Sequence, residues 1–171
     1  MTPPFRVELL NQQHDRAAFG CGEEALDRYL RTQATQDIRR RVASCFVAIE
    51  VATGWLAAYY TIAAASIPTP QLPPETIKRL PRYPTLPAVR IGRLAVDLRF
   101  RGRGLGGAML ADAASRALQS PPAVFALLVE AKNDDAVAFY RRYGFRPLTS
   151  QPRTLFLPMA TAGKLLCGTR I

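Results

Sequence analysis

Arg101-Gly102-Arg103-Gly104-Leu105-Gly106-Gly107 decides the reading of this chain. An apolar, strand-like run from Ala88 to Val96 precedes it, and a helix-like run from Leu105 to Leu118 follows. A glycine-rich turn that feeds a helix N-terminus is an anion site. Free backbone N–H groups converge there, and the helix dipole favours negative charge. Glycine has no Cβ, so the backbone can approach a phosphate closely. The stretch therefore predicts a pyrophosphate ligand.

Two ligands compete for it. Gly102-x-Gly104-x-x-Gly107 matches a dinucleotide fingerprint, and Glu130 ends the next apolar run, Val124 to Val129, where a ribose-binding acid is expected. Against this, Asp97 to Arg101 separate the strand from the glycines, and too little chain follows Glu130 for a second mononucleotide half. The other reading is Arg-x-x-Gly-x-Gly, formed by Arg101, Gly104 and Gly106. It is joined downstream by Asn133-Asp134-Asp135-Ala136-Val137-Ala138-Phe139-Tyr140-Arg141-Arg142-Tyr143-Gly144-Phe145, with one helix and one strand between the two.

Composition narrows the classes. The 171 residues suffice for one domain, 1–171, with a real core, and 49% are hydrophobic. No apolar run reaches membrane-spanning length, and the N-terminus lacks a basic-then-apolar leader, so no membrane association is expected. Cys21, Cys45 and Cys167 are odd in number and scattered, which points to a reducing cytoplasm. With His14 the only histidine, no metal site is expected. Net charge is +10; of the 23 basic residues twenty are arginine, and Asp and Glu do not rise to match. An arginine-rich genome accounts for part of that, and attraction to a polyanion or an acidic protein for the rest.

Along the chain, Phe5–Leu10 reads as a strand and Glu23 to about Arg41 as a helix, with Leu26, Tyr29, Leu30, Ala34 and Ile38 at helical spacing. Ser44–Val51 and Trp55–Ala65 are strands around a turn at Ala52-Thr53-Gly54. Pro68 to Pro87 is an irregular, proline-rich excursion with a short helix at Glu75–Leu80. Strand Ala88–Val96, helix Leu105–Leu118, strand Val124–Glu130 and helix Asp134–Tyr143 follow. Strands at Phe145–Leu148 and Arg153–Leu157 and a terminal helix at Met159–Leu166 complete the pattern. The class is α+β: a mixed, mostly antiparallel sheet of six or seven strands flanked by about four helices.

The paired motifs resemble those of the GCN5-related N-acetyltransferases, the GNAT superfamily: Arg-x-x-Gly-x-Gly is their acetyl-CoA pyrophosphate loop, and Asn133 to Phe145 is similar to their N-x-x-A-x-x-F-Y-x-x-x-G-F segment. The N-terminal half resembles one branch. Phe19-Gly20-Cys21-Gly22-x-x-x-Leu26-Asp27-x-Tyr29-Leu30 looks like the signature of GNAT toxins of type II toxin–antitoxin modules. Tyr59-Tyr60-Thr61, Gly92 to Asp97 and Arg153 to Met159 also look like theirs.

The resemblance implies acetyl-CoA as co-substrate. Gly102 to Gly107, Leu105 among them, would hold the pyrophosphate, with Arg101 and Arg103 adding charge. Leu94, Ala95 and Val96 would pair with the pantetheine arm, Asn133 would bond the cofactor near it, and Phe139 would line the channel or serve as ordinary core. Tyr140 is the candidate general acid, because a phenol stays protonated at neutral pH and can give its proton to a departing thiolate; the alternative is a buried tyrosine with a satisfied hydroxyl. Tyr143 is read as packing, and Cys21 as a small buried residue.

A base is harder to find, since Asp97 is the only acid beside Ile91 to Val96. A lysine amine needs help to lose its proton, whereas an α-amine is already partly neutral at pH 7. The sequence thus leans toward an α-amine acceptor, and the family implies the amino acid of a charged tRNA. Arg39, Arg40, Arg41, Lys78, Arg79, Arg82, Arg90 and Arg93 are candidate tRNA contacts. Arg39 to Arg41 are equally readable as a solvated helix end, and Arg93 as a structural partner. The family further implies a ribbon-helix-helix antitoxin, operator DNA bound only through it, and a homodimer. A GNAT enzyme acting on a small amine or a protein N-terminus, and a non-enzymatic nucleic-acid-binding module, remain the rival readings.

Overall fold

The computed structural model describes residues 3–168; the side chains of Lys164 and Cys167 lie outside the described residues. Seven strands form one mixed sheet: β1 Phe5–Leu9, β2 Ser44–Glu50, β3 Leu56–Pro68, β4 Thr85–Val96, β5 Ala126–Glu130, β6 Arg146–Pro147 and β7 Thr154–Pro158. Their order is β1-β2-β3-β4-β5-β7-β6. The β4–β5 pair is parallel, with Arg90 opposite Leu128 and Ile91 opposite Val129; β1–β2, β2–β3, β5–β7 and β6–β7 are antiparallel. The helices are α1 Glu24–Thr32, α2 Ala34–Arg39, α3 Pro74–Ile77, α4 Leu105–Gln119, α5 Asp134–Arg142 and α6 Gly163–Gly168. The α+β class and the sheet are as expected from sequence.

The chain divides into two compact units, one comprising Met1–Ala63 and Gly92–Asp112, the other Ala64–Ile91 and Ala113–Gly168. In the first, Phe19, Leu30, Val47, Ile49, Tyr59 and Ala95 form the core. The toxin-like N-terminal signature is legible there as packing. Phe19 meets the Tyr59 ring edge-on at 5.6 Å, the Tyr59 hydroxyl donates to the Leu26 carbonyl at 2.7 Å, and buried Asp27 accepts the Cys21 N–H at 2.9 Å. Cys21 is itself buried, which bears out the small-residue reading. In the second unit, Ile67, Leu72, Ala126, Leu128, Leu148 and Phe156 form the core.

The expected helix Glu23–Arg41 is two helices broken at Gln33 (φ −117°). The Arg16 guanidinium takes the Leu30 carbonyl at 3.1 Å and the Thr35 hydroxyl at 2.8 Å. It thus claims the acceptor that would continue the helix toward Ala34. The expected terminal helix begins four residues late, at Gly163. The Met159 N–H is held by the Phe125 carbonyl, and Thr161 turns back onto Pro158. Strand β6 shrinks to two residues, while β3 runs on to Pro68. Helix α5 follows its sequence signals closely. Asn133 caps it by accepting the Ala136 N–H at 2.9 Å, Asp134 and Asp135 lie in its first turn and Arg141 and Arg142 near its end. Gly144, at φ +95°, stops it.

Candidate active site

In the first unit, the glycine loop has the backbone an anion cradle requires. Gly102 and Gly104 adopt φ +79° and +74°, conformations strained for other residues, and a Cβ on either would meet nothing within 4 Å. Helix α4 opens at Leu105, so the N–H groups of Leu105, Gly106 and Gly107 have no intrahelical acceptor. These features fit a pyrophosphate.

The flanking arginines differ in commitment. Arg101 donates to the Cys21 carbonyl at 2.5 Å, which ties the loop to the segment before α1. Arg103 lies 3.7 Å from Glu50 and 5.3 Å from the Phe100 ring, and is exposed. Leu94, Ala95 and Val96 form the end of β4. Asp97, which follows them, is 2% exposed and fully engaged. It accepts the Gly20 N–H at 3.0 Å, the Arg99 N–H at 2.8 Å and the Arg99 guanidinium at 2.9 Å. Burial alone would raise its pKa, but those bonds outweigh it and hold the carboxyl below the usual range. Asp97 is therefore a structural hub with no lone pair turned toward an acceptor amine.

In the second unit, Tyr140 on α5 is 9% exposed. Its ring packs edge-on against Phe139 at 5.2 Å and Phe145 at 5.4 Å. Burial pushes its phenol up to about 12, and among the described residues none hydrogen-bonds its hydroxyl. Phe139 is half-buried and also meets Tyr143 at 5.2 Å. Asn133 spends its side-chain oxygen on the helix cap, which leaves its amide N–H groups.

The basic residues divide too. Arg93 is half-buried, its guanidinium 3.5 Å over the Tyr29 ring, and the Tyr29 hydroxyl donates to Asp37 at 2.8 Å. Arg39, which ends α2, and Arg40 and Arg41 after it are exposed, in the first unit; Lys78, Arg79, Arg82 and Arg90 are exposed in the second. Arg79, Arg82 and Arg90 have no hydrogen-bond or ion-pair partner among the described residues. His14 contacts Glu8 at 2.7 Å and accepts the Asn11 N–H, so it does not serve Cys21. Among the described residues no cluster suits a metal ion, and no helix is long and apolar enough to cross a membrane.

An Acetyltransferase (GNAT) domain matches residues 80–160, a range that holds both the glycine turn at the helix N-terminus after β4 and the tyrosine-bearing helix after the parallel strand β5, so the chain is an acyltransferase of the GNAT class. Curated relatives match over most of the chain. One is a probable toxin TacT of Sinorhizobium fredii, 34% identical with 90% of each chain covered. Another is a tRNA-acetylating toxin of Mycobacterium tuberculosis, 32% identical with 92% of this chain and 93% of the other covered. Among solved structures, a Tyr-to-Phe mutant of KacT superposes with TM-score 0.86 at 28% identity, over 95% of this chain and 99% of that one. AtaT complexed with acetyl-methionyl-tRNAfMet gives TM-score 0.84 at 29% identity, over 94% and 98%. The chain belongs to this family of GNAT acetyltransferase toxins.

Proposed function

We propose that the protein, as one catalytic domain over residues 1–171, moves acetyl from acetyl-CoA to the α-amine of an aminoacyl-tRNA and so blocks translation in the cytoplasm. The observation that carries the reading is Tyr140, a buried phenol whose surroundings raise its pKa further and whose hydroxyl has no partner among the described residues. Acetyl-CoA, when bound, supplies the thioester. Gly102 to Gly107 hold its pyrophosphate, with charge from Arg103 and, less directly, Arg101. The backbone of Leu94 to Val96 aligns the pantetheine arm, the Asn133 amide donates to it, and Phe139 walls the channel. Tyr140 gives its proton to the departing thiolate sulfur.

Lys78, Arg79, Arg82 and Arg90, with Arg40 on the first unit, meet RNA phosphate. Arg93 steadies α1 through Tyr29 and contacts RNA only secondarily. Relatives support the acceptor and the partners: one is named a tRNA-acetylating toxin, AtaT has been solved with the C-terminus of the antitoxin AtaR and acetyl-CoA, and KacTA with DNA. By that likeness this chain pairs with an antitoxin. That the antitoxin is of ribbon-helix-helix type, that operator DNA is reached through it and that the toxin forms a homodimer are what the family resemblance of the sequence implies.

The test is transfer of labelled acetyl from acetyl-CoA to a pool of charged tRNA, with deacylated tRNA as control. Label on charged tRNA alone, released by mild ester hydrolysis, is expected. Cofactor binding without label on charged tRNA would turn the assignment to small amines or protein N-termini.

A further inference from the structure

The second unit contains a half-open, mainly polar cavity of about 190 Å³ whose walls include Ser66, Pro68, Gln71, Arg90, Glu130 and Gln151. Two of its charges are unanswered. Arg90 on β4 pairs in register with Leu128 on β5, and Glu130 lies two residues beyond Leu128. Cation and anion thus stand diagonally across the strand pair, on neighbouring strands, and both line the same cavity. Yet they form no ion pair with each other or with any other described residue, and both are exposed.

The surrounding charges are spoken for or point elsewhere. Opposite Glu130 on β7 stands neutral Thr154. Arg153 beside it turns to the Lys132 carbonyl and to Asp134, and Lys132 is exposed beyond the end of β5. From the proline-rich excursion come the neutral Ser66 and Gln71.

We infer that this cavity receives the charged end of the acceptor, and that Glu130 takes the proton from its α-ammonium. The inference rests on the aminoacyl-tRNA reading above and supplies the base that Asp97 is too engaged to be. An aminoacyl nucleotide carries an ammonium and a phosphodiester a short distance apart, which answers Glu130 and Arg90 together. A simple amine or a peptide N-terminus leaves Arg90 facing nothing. Glu130 also ends the strand whose next helix carries Tyr140, so proton acceptor and proton donor lie on one β5–α5 segment.

The ammonium gives one proton to the Glu130 carboxylate. The freed nitrogen lone pair bonds to the thioester carbonyl carbon, and the carbon–sulfur bond breaks with its electron pair on sulfur. Sulfur takes the Tyr140 proton. The second proton lost by nitrogen restores Tyr140 through solvent, and Glu130 releases its own to water. The products are an N-acetylaminoacyl-tRNA and the free thiol of coenzyme A.

The experiment compares wild type, Glu130→Gln and Glu130→Asp on charged tRNA across pH, with acetyl-CoA affinity and thermal unfolding as controls. In Glu130→Gln, kcat/KM is expected to fall about tenfold or more near neutral pH. The deficit should close as pH rises past the ester amine's own pKa, which lies below the ordinary α-amine value of about 8. Cofactor affinity and unfolding should not change, and Glu130→Asp should retain part of the neutral-pH rate. A deficit constant with pH, or none, overturns the assignment while leaving the acceptor reading intact. A wild type that labels no charged tRNA overturns both.

Discussion

The guanidinium of Arg93 lies 3.5 Å from the centroid of the Tyr29 ring, so a cation on β4 is part of the packing of α1. The Tyr29 hydroxyl is in turn held by Asp37 in the first turn of α2. Burial and that bond push the Tyr29 phenol above its ordinary range. The guanidinium therefore stands over a neutral ring at all physiological pH values, where cation–π attraction is worth about 1–2 kcal/mol when partly desolvated.

Arg93→Ala is accordingly expected to destabilise the fold by about 1–2 kcal/mol, measured by denaturant unfolding. Arg90→Glu should leave stability within about 0.5 kcal/mol, as exposed changes do. It should nonetheless weaken tRNA binding and flatten its dependence on salt. Equal unfolding curves for the two variants would count against a structural role for Arg93.

Asp97 leads to a prediction about acid. Its folded pKa is depressed by Arg99 and by the Gly20 and Arg99 N–H groups. The stabilisation is therefore present above the unfolded value of about 3.9 and is lost as pH falls through the folded one. Asp97→Asn keeps the shape but loses the charge, leaving Arg99 without its counter-ion. A loss of about 1–3 kcal/mol near neutral pH is expected. The gap from wild type should narrow below about pH 4. A gap that stays constant into acid would show that charge is not the cause.

Gly104 isolates the cradle's backbone. A Cβ there meets nothing, so Gly104→Ala introduces no clash, only the cost of φ +74°, about 1–2 kcal/mol. If the loop relaxes to escape that strain, its N–H groups no longer converge. Acetyl-CoA affinity measured by calorimetry should then fall about tenfold or more, while Gly54→Ala, at a comparable φ of +75° in the β2–β3 turn, leaves affinity unchanged.

Much of this was legible in the sequence, and the reasons differ by element. Local signals sufficed for the glycine loop, for α5 with its Asn133 cap and Gly144 stop, and for the turn at Gly54, because neighbours in sequence set those conformations. What could not be read depended on residues far apart. The break at Gln33 comes from Arg16, seventeen positions earlier. Arg99 engages Asp97 locally, but the bond from Gly20 comes from 77 positions away, and the tether on Arg101 from Cys21, 80 positions away. Arg93 read as an RNA contact as readily as a structural cation until Tyr29 was found beneath it. Glu130 was visible only as the acid of a dinucleotide motif. Its partnerless place in a cavity beside Arg90 is a product of the β4–β5 register, although an acid ending an apolar strand just before Asn133 was a signal available in the sequence.

Tyr140 is the sharpest test of the catalytic reading. Its hydroxyl has no described hydrogen-bond partner, so Tyr140→Phe removes a reactive proton and little packing. Cofactor affinity and unfolding should hardly move, while kcat falls about a hundredfold or more. The pH dependence gives a second measure. An acid works only while protonated, and burial has pushed this phenol up to about 12. The wild-type rate should therefore show no falling limb from Tyr140 as pH passes the ordinary tyrosine value of about 10. A limb near that value, present in wild type and absent from the residual activity of Tyr140→Phe, would mean the phenol is solvated during turnover. Burial would then not be what keeps the proton available to the leaving sulfur.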